Sequence, residues 1–575
     1  MFNILQSPIP VAEWVTTATD WLTNTFSGLF SVLQKSGQWV MELMTNSLLF
    51  VPPLVMIAIL TVVAYVISKR KIGLTSFTLL GLLFIYNQGL WSELMSTVTL
   101  VIISSLVSII IGVPLGVLMA KSDKAQSIIT PILDFMQTMP GFVYLIPAVA
   151  FFGIGMVPGV FASVIFALPP TVRMTNLGIR QVPTELVEAS DSFGSTGKQK
   201  LFKLELPLAK STILAGINQT IMLALSMVVI ASMIGAPGLG QGVLSAVQRS
   251  QVGNGFVNGL ALVILAIIMD RFTQHLNPKE RRATSDIASK KKKILTRLLA
   301  LVVIFAIGGA TLSSFVSKKK QEVTLAYVEW DTEIASTTVV SEVLKDMGYD
   351  VKMTPLDSAI MWEAVANGEA DGMVAAWLPG THGSQYDKFK DELDDLGPNL
   401  DGGARLGLVV PSYMDVNSID ELTTEGNQQI VGIEPGAGVV AAAEETMAEY
   451  ANLSDWNLMS SSNGAMTTEL AKAIKNKEEI VITGWSPHWM FSRYDLKYLE
   501  DPKGTMGGDE SIKTMVRKGL EKDSPEVYQV LDNFNWELAD IESVMLAIEK
   551  GEKPVEAARH WIDNHQELVE SWKKA

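Results

Sequence analysis

The stretch SSFVSKKKQEVTLAYVEWDTE, residues 313–333, joins two kinds of chemistry within a short length of chain. An apolar run ends and Lys318, Lys319 and Lys320 follow. A strand-like pattern then begins at once and closes on Trp330, flanked by Glu329 and Asp331. The reading of this junction decides the fold: a membrane-embedded half precedes it and a water-soluble half follows. Charge divides the same way. Residues 1–320 carry 25 Lys+Arg against 13 Asp+Glu, and residues 321–575 carry 20 against 47. A basic, apolar half suits anionic lipid, whereas an acidic half suits water. The acidic half has no basic patch, which excludes nucleic acid as a partner. The chain has no cysteine, so disulfides, thiolate metal sites and cysteine nucleophiles are excluded together.

Upstream of the junction, residues 10–45 place Trp14, Trp21, Leu22, Phe26, Phe30 and Leu33 at helical spacing. That predicts an amphipathic helix at the membrane interface as a first domain, 1–47. The N-terminal residues lack the basic and compact apolar regions of a secretory signal, so the spans are expected to direct export of the acidic half. A spanning helix needs about 20 mostly apolar residues. Eight such runs occupy roughly 48–68, 73–91, 94–120, 128–153, 156–175, 211–236, 256–275 and 294–316, a membrane domain over 48–316. Pro140, Gly141, Pro147, Gly153, Gly155, Pro158 and Gly159 predict breaks in the fourth and fifth runs. Basic segments at 68–71, 121–124, 198–210 and 279–293 fall on one side if the spans alternate, and that side is then cytoplasmic. Both termini and the acidic half are expected outside. Lys318, Lys319 and Lys320 run against this rule but are outnumbered by the basic residues at 281–293.

Between the fifth and sixth runs lies ELVEASDSFGSTGKQKLFKLELPLA, residues 185–209, within a polar loop at 183–210. It predicts a short helix, a turn at Gly194, Ser195 and Gly197, and a second helix ended by Pro207. Such a knob can dock in a partner's groove and carry motion to the spans. The spacing of Glu188-Ala189-Ser190, Gly194 and Leu204-x-Leu206-Pro207 resembles the EAA signature of ABC importer permeases. Ser190 and Leu204 depart from that consensus by residues of similar size. The resemblance implies a type I ABC importer-like permease, driven by an ATP-hydrolysing subunit on a separate chain that holds ATP and Mg. This chain has no G-x-x-x-x-G-K-[ST] loop, and its glycine cluster at 235–242 lacks the lysine.

Downstream, strand-like EVTLAYVEW, ADGMVAAW, ARLGLVVP, QQIVGIEPG and EEIVITGW alternate with helical patterns, the rhythm of an α/β fold. After a linker at 317–322, residues 323–575 exceed a comfortable single core and predict two lobes. Lobe one is expected at about 323–405 and 505–575, and lobe two at about 410–500. Catalytic constellations are absent: His382, His488, His560 and His565 are scattered, and neither H-E-x-x-H nor G-x-S-x-G occurs. The reading is therefore not an enzyme, with no catalytic set, no metal site and no cofactor bound by this chain.

Tryptophans stand out instead. Trp330, Trp377 and Trp485 close strand-like runs, and in open α/β sheets ligands bind at the carboxyl ends of strands. Indole faces attract cations, and a quaternary ammonium group has no N–H to donate, so a cage of rings suits it. Trp362, Trp456, Trp489, Trp536, Trp561 and Trp572 are assigned to core. In QQIVGIEPGAGVVAAAEETM a helix starts near Gly438, and amides around Ala437, Gly438 and Val439 suit a carboxylate. His488 either adds a donor there or is structural. The ligand so described is a small zwitterion with a quaternary ammonium group.

The acidic half resembles the glycine betaine/proline betaine binding proteins, notably in GWSPHWMF (484–491) and VVPSYMDVNSIDEL (409–422). The order permease, then binding domain, resembles the permease–receptor subunit of OpuA-type osmoregulatory glycine betaine ABC transporters. That resemblance implies that Trp330, Trp377 and Trp485 surround the trimethylammonium group and that the lobes close on it. It also implies a homodimeric permease, two ATPase subunits and gating by ionic strength. The expected location is the cytoplasmic membrane of a bacterium without an outer membrane, with anionic lipids near the basic inner loops. The alternative is a membrane-anchored receptor or ligand-gated channel for quaternary amines. Glycine betaine, proline betaine, carnitine and choline are not separated by these residues.

Overall fold

A computed structural model describes residues 10–68, 72–248, 251–276 and 321–574. They form two compact units. The expected span at 294–316, the basic run 279–293 and Lys318 to Lys320 lie outside the described residues.

In the first unit, Trp91–Lys121, Met156–Arg180, Gly197–Ile234 and Val252–Gln274 are long and apolar enough to cross a membrane. They take the places of the third, fifth, sixth and seventh expected spans. The fourth is a broken pair, Asp123–Thr138 and Gly141–Phe152, bent by 108°. Pro140 at the break has no N–H to continue the helical ladder. The first expected span is one arm of a second bent pair, Glu13–Phe50 with Pro53–Ile67, at 92°. The second is the 16-residue helix Ile72–Asn87. At 1.5 Å per residue it falls short of a hydrocarbon core about 30 Å thick. The described residues thus hold four such helices, or up to six if each bent pair is one span, against the eight expected.

Lipid gives apolar helices little reason to associate, so close backbone contact and hydrogen bonds must hold them. Gly112 and Gly116 supply the contact. A Cβ at Gly116 would lie 2.5 Å from the Thr175 Cβ and 2.6 Å from the Val172 carbonyl oxygen. Helix Trp91–Lys121 can therefore sit against Met156–Arg180 only where no side chain intervenes. Thr171 and Thr220 add a buried hydroxyl pair at 2.7 Å between Met156–Arg180 and the helix Leu206–Ala231. The N-terminal helix Val11–Phe50 stacks Phe30 on Phe151, ring centroids 4.7 Å apart, and leaves Trp14, Trp21 and Trp39 exposed.

The polar loop folds as helix Thr184–Ser192, a turn at Gly194, a short helix Gly197–Lys200 and a π turn Leu201–Glu205. Gly194 has φ +72°, the left-handed conformation that glycine adopts without a Cβ clash. Thr196 and Gln199 form a reciprocal capping box for the short helix. Pro207 does not end the helix as expected. It sits in the first turn of Leu206–Ala231, where a missing N–H costs little because the π turn has already shifted the ladder. Buried Glu205 pairs with Lys121 at 2.5 Å, tying the end of the loop to helix Trp91–Lys121.

The second unit contains strands β1 (Glu322–Tyr327), β2 (Asp350–Pro355), β3 (Gly372–Leu378), β4 (Leu393–Pro411) and β5 (Gln429–Val431), then β6 (Asn457–Met459), β7 (Val481–Ser486), β8 (Leu496–Tyr498) and β9 (Asp509–Arg517). They form one sheet in the order β2-β1-β3-β9-β4-β7-β5-β6, with β8 paired to β4. Parallel β1, β2 and β3 make the sheet of lobe one, and parallel β5, β6 and β7 that of lobe two. The antiparallel strands β9 and β4 join them. Strand β4 pairs with β9 as far as Arg405 and with β7 from Arg405 to Val409, so Arg405 marks the crossing between lobes. Register shifts in the β4–β9 ladder bend this long strand from one lobe into the other. Trp362, Trp456, Trp536, Trp561 and Trp572 are buried, the last three packed with Phe534 among the C-terminal helices.

Candidate functional site

Where the sheet's carboxyl edges face each other, Trp330, Trp377 and Trp485 line one small cavity. Trp377 lies in β3 and Trp485 in β7, near the ends of those strands. Trp330 does not end its strand. β1 stops at Tyr327, and Trp330 is the N-cap residue of helix Asp331–Asp346. Trp330 and Trp377 belong to lobe one and Trp485 to lobe two, so the cavity opens when the lobes part. Thr381, Leu406 and Ile433 complete the wall, and sequence reading did not single them out.

Ala437, Gly438 and Val439 line the same cavity. Ala437 is the extended N-cap of helix Gly438–Glu449, and the first amides of a helix have no partner within it. They offer donors and a partial positive charge to an anion. Gly438 also permits the lobes to meet. A Cβ there would lie 2.4 Å from the Thr381 Cγ2 and 2.7 Å from the Thr381 carbonyl oxygen.

His488 is not part of the lining and lies fully buried beside it. Its Nδ1 accepts the Met490 backbone N–H at 3.1 Å. Its Nε2 is 3.3 Å from the Asn463 Oδ1 and 3.5 Å from the Asp331 Oδ2. Burial lowers its pKa to about 4, so the ring is neutral at pH 7 with its proton directed at these oxygens. The ring stands edge-on to Trp485, centroids 4.7 Å apart. The ring thus packs against Trp485 and does not line the cavity.

Acidic residues hold the indoles from behind. The Trp377 Nε1–H donates to the Glu333 Oε1 at 2.8 Å, and the Trp330 Nε1–H donates to the Glu434 Oε1 at 2.5 Å. Trp489, assigned to core, is buried but donates through Nε1 to the Asp331 Oδ2 at 2.7 Å, an oxygen that also accepts from the Asn463 amide. The bonds to Glu434 and Asp331 cross the cleft between lobes. Desolvation pushes the buried Glu333 carboxyl up to about 8 and also raises Glu434. His382 completes the support. Its Nδ1 accepts the Trp377 backbone N–H at 3.0 Å, its Nε2 lies 3.1 Å from the Ser358 hydroxyl, and its ring lies parallel to Trp330 at 5.9 Å. Burial lowers its pKa to about 3. A signal for these residues existed in the sequence: a buried indole N–H needs an acceptor, and acids flank Trp330. Which acid serves which ring depends on the fold.

The loop residues form a separate surface. Glu188, Ala189 and Ser190 lie on helix Thr184–Ser192, Leu204 in the π turn, and Leu206 and Pro207 in the first turn of the following helix. Glu188 and Ala189 are exposed, and Phe193, next to Gly194, is 90 % exposed. An apolar ring so placed has no partner within its own helix pair.

Residues 112–282 match the family described as the binding-protein-dependent transport system inner membrane component. Residues 321–564 match the substrate binding domain of ABC-type glycine betaine transport system. The glycine betaine/carnitine transport permease protein GbuB of Listeria monocytogenes is 58 % identical over 282 residues, 48 % of this chain and 97 % of its own. The glycine betaine transport system permease protein OpuAB of Bacillus subtilis is 51 % identical over 273 residues, 48 % of this chain and 96 % of its own. The crystal structure of lactococcal OpuAC in its closed-liganded conformation with glycine betaine is 58 % identical, covers 44 % of this chain and all of that one, and gives a TM-score of 0.44. The chain belongs to the OpuA-type family of ABC transporters, with permease and substrate-binding domain carried on one polypeptide.

Proposed function

We propose that this chain supplies both the translocation pathway and the tethered receptor for ATP-driven uptake of glycine betaine or a closely similar compatible solute, in osmoprotection. One observation carries the substrate: indoles from both lobes face one small cavity beside an open helix N-terminus. The rings replace water around a cation that never loses its charge, each face contributing about 0.5–2 kcal/mol. The amides of Gly438 and Val439 take the carboxylate. Closing the lobes brings Trp485 to Trp330 and Trp377, and the cross-cleft bonds to Glu434 and Asp331 hold the closed form.

The closed receptor then delivers its ligand to the outer mouth of the spans. ATP and Mg belong to a separate ATPase subunit, which grips the loop from Glu188 to Pro207. Two copies of this chain and two of the ATPase form the working assembly, in the cytoplasmic membrane. The N-terminus and the binding domain face outward, and the basic inner loops lie against anionic lipid. The positive-inside pattern of the loops supports this orientation. Vesicles reconstituted with this chain and the ATPase subunit should accumulate labelled glycine betaine when ATP is supplied on the loop side. Conductance without ATP, and no accumulation with it, would replace the pump with a ligand-gated channel.

A further inference from the structure

The carboxylates behind the cage are placed where charge matters most to a ligand they do not touch. Glu333 and Glu434 are absent from the cavity wall, yet each accepts the Nε1–H of a ring that forms it. Glu333 is buried and Glu434 half-buried, and desolvation raises both carboxyls. Among the described residues no group meets the Glu333 Oε2 with hydrogen-bonding geometry, although the Thr332 hydroxyl lies near enough to favour the ionised carboxyl. An ionised carboxylate buried this way is costly unless a positive charge lies near. A carboxylate drawing on the indole N–H also makes the opposite ring face more negative, because hydrogen bonds in a low dielectric polarise one another. The cation that would offset the burial and gain from the ring potential is the ligand itself.

We propose that Glu333 and Glu434 are positioning residues that act through Trp377 and Trp330 to make the cage selective for a cation over an uncharged group of the same shape. This rests on the reading of the site as a quaternary ammonium cage. It adds that selectivity comes from the acids behind the rings and not from ring area alone. Packing cannot tell a trimethylammonium group from a tert-butyl group, which has the same shape without the charge. Electrostatics can.

The test titrates the full-length chain in detergent with glycine betaine and with 3,3-dimethylbutanoate, its uncharged-head isostere. Wild type should bind betaine much more tightly. The titrations are run at pH 9, where Glu333, with its pKa raised to about 8, is ionised; there Glu333→Gln and Glu434→Gln keep an acceptor for the indole but remove the charge. Each should weaken betaine binding about tenfold while isostere binding stays within about twofold. A purely structural role, or a looser cleft, would weaken both ligands alike and overturn the proposal, as would an unchanged ratio. Should a glutamine variant fail to fold, Trp377→Phe and Trp330→Phe cut the same link and must lower the same ratio. On those backgrounds the glutamine substitutions should change it no further. If wild type binds neither ligand, the substrate reading fails. If wild type prefers betaine and the variants prefer it equally, only this inference fails.

Discussion

Gly438 shows how much one side chain decides here. Any Cβ at this position would meet the Thr381 backbone, which cannot rotate out of the way. Gly438→Ala should therefore wedge the lobes apart and weaken betaine binding at least about tenfold, with the circular dichroism spectrum unchanged. The buried titratable groups make a second statement. Glu333 has a folded-state pKa raised from 4.5 to about 8, so the stability it contributes is complete below pH 4.5 and is lost as pH rises toward 8. His382 and His488 have folded-state pKa values lowered from 6.5 to about 3 and about 4, so their contribution is present above pH 6.5 and is lost as pH falls. In the absence of ligand, the thermal midpoint should decline between pH 6.5 and 8 in wild type, where the histidine contributions are already complete, and more shallowly in Glu333→Gln. An unchanged slope in the variant would show that Glu333 ionises freely. At this scale the indoles and the glycine helix start were legible, because ring chemistry and an exposed helix N-terminus carry their meaning locally. Glu333 and Glu434 were not, because which indole N–H each accepts is set by the fold, and neither was His382, whose Nδ1 accepts the Trp377 backbone N–H at 3.0 Å without any mark of that bond in the sequence.

At the scale of elements, the loop between the long helices has the features of a docking knob. Its two short helices are set by a capping box and a left-handed glycine, and they present Phe193 and Phe202 outward. Exposed apolar rings on a polar loop mark a contact surface. Phe193→Asp should abolish betaine-stimulated ATP hydrolysis in the complex with the ATPase subunit while leaving the betaine dissociation constant within about twofold. Full stimulation in that variant would move the docking contact elsewhere. The helix–turn–helix was legible from Gly194 and the flanking helical spacing. The course of the chain at Pro207 was not, because proline reads equally as the stop of one helix or the first turn of the next. The break at Pro140 was legible from its proline and glycine, and the bent pair Asp123–Thr138 with Gly141–Phe152 falls there; the bend between Phe50 and Pro53 was not foreseen, since hydropathy reads a straight and a bent span alike. Strand–helix alternation, by contrast, gave the α/β class directly. The continuous β4–β9 ladder escaped it, because long-range antiparallel pairing leaves no periodic mark.

For the whole molecule, the division at the lysine run was readable from charge and hydropathy alone, since lipid and water select opposite compositions. A receptor fused to its permease meets the translocation pathway at an effective concentration that a free receptor must reach by abundance. Fusion helps only if the receptor holds the right ligand. The account therefore stands on the indoles replacing the hydration of a permanent cation. Calorimetric titration of the full-length chain with glycine betaine, in wild type and in Trp485→Ala, tests this most directly. The account predicts at least a tenfold loss of affinity, about 1.4 kcal/mol, in a variant that remains folded. Unchanged affinity in a folded variant would contradict it.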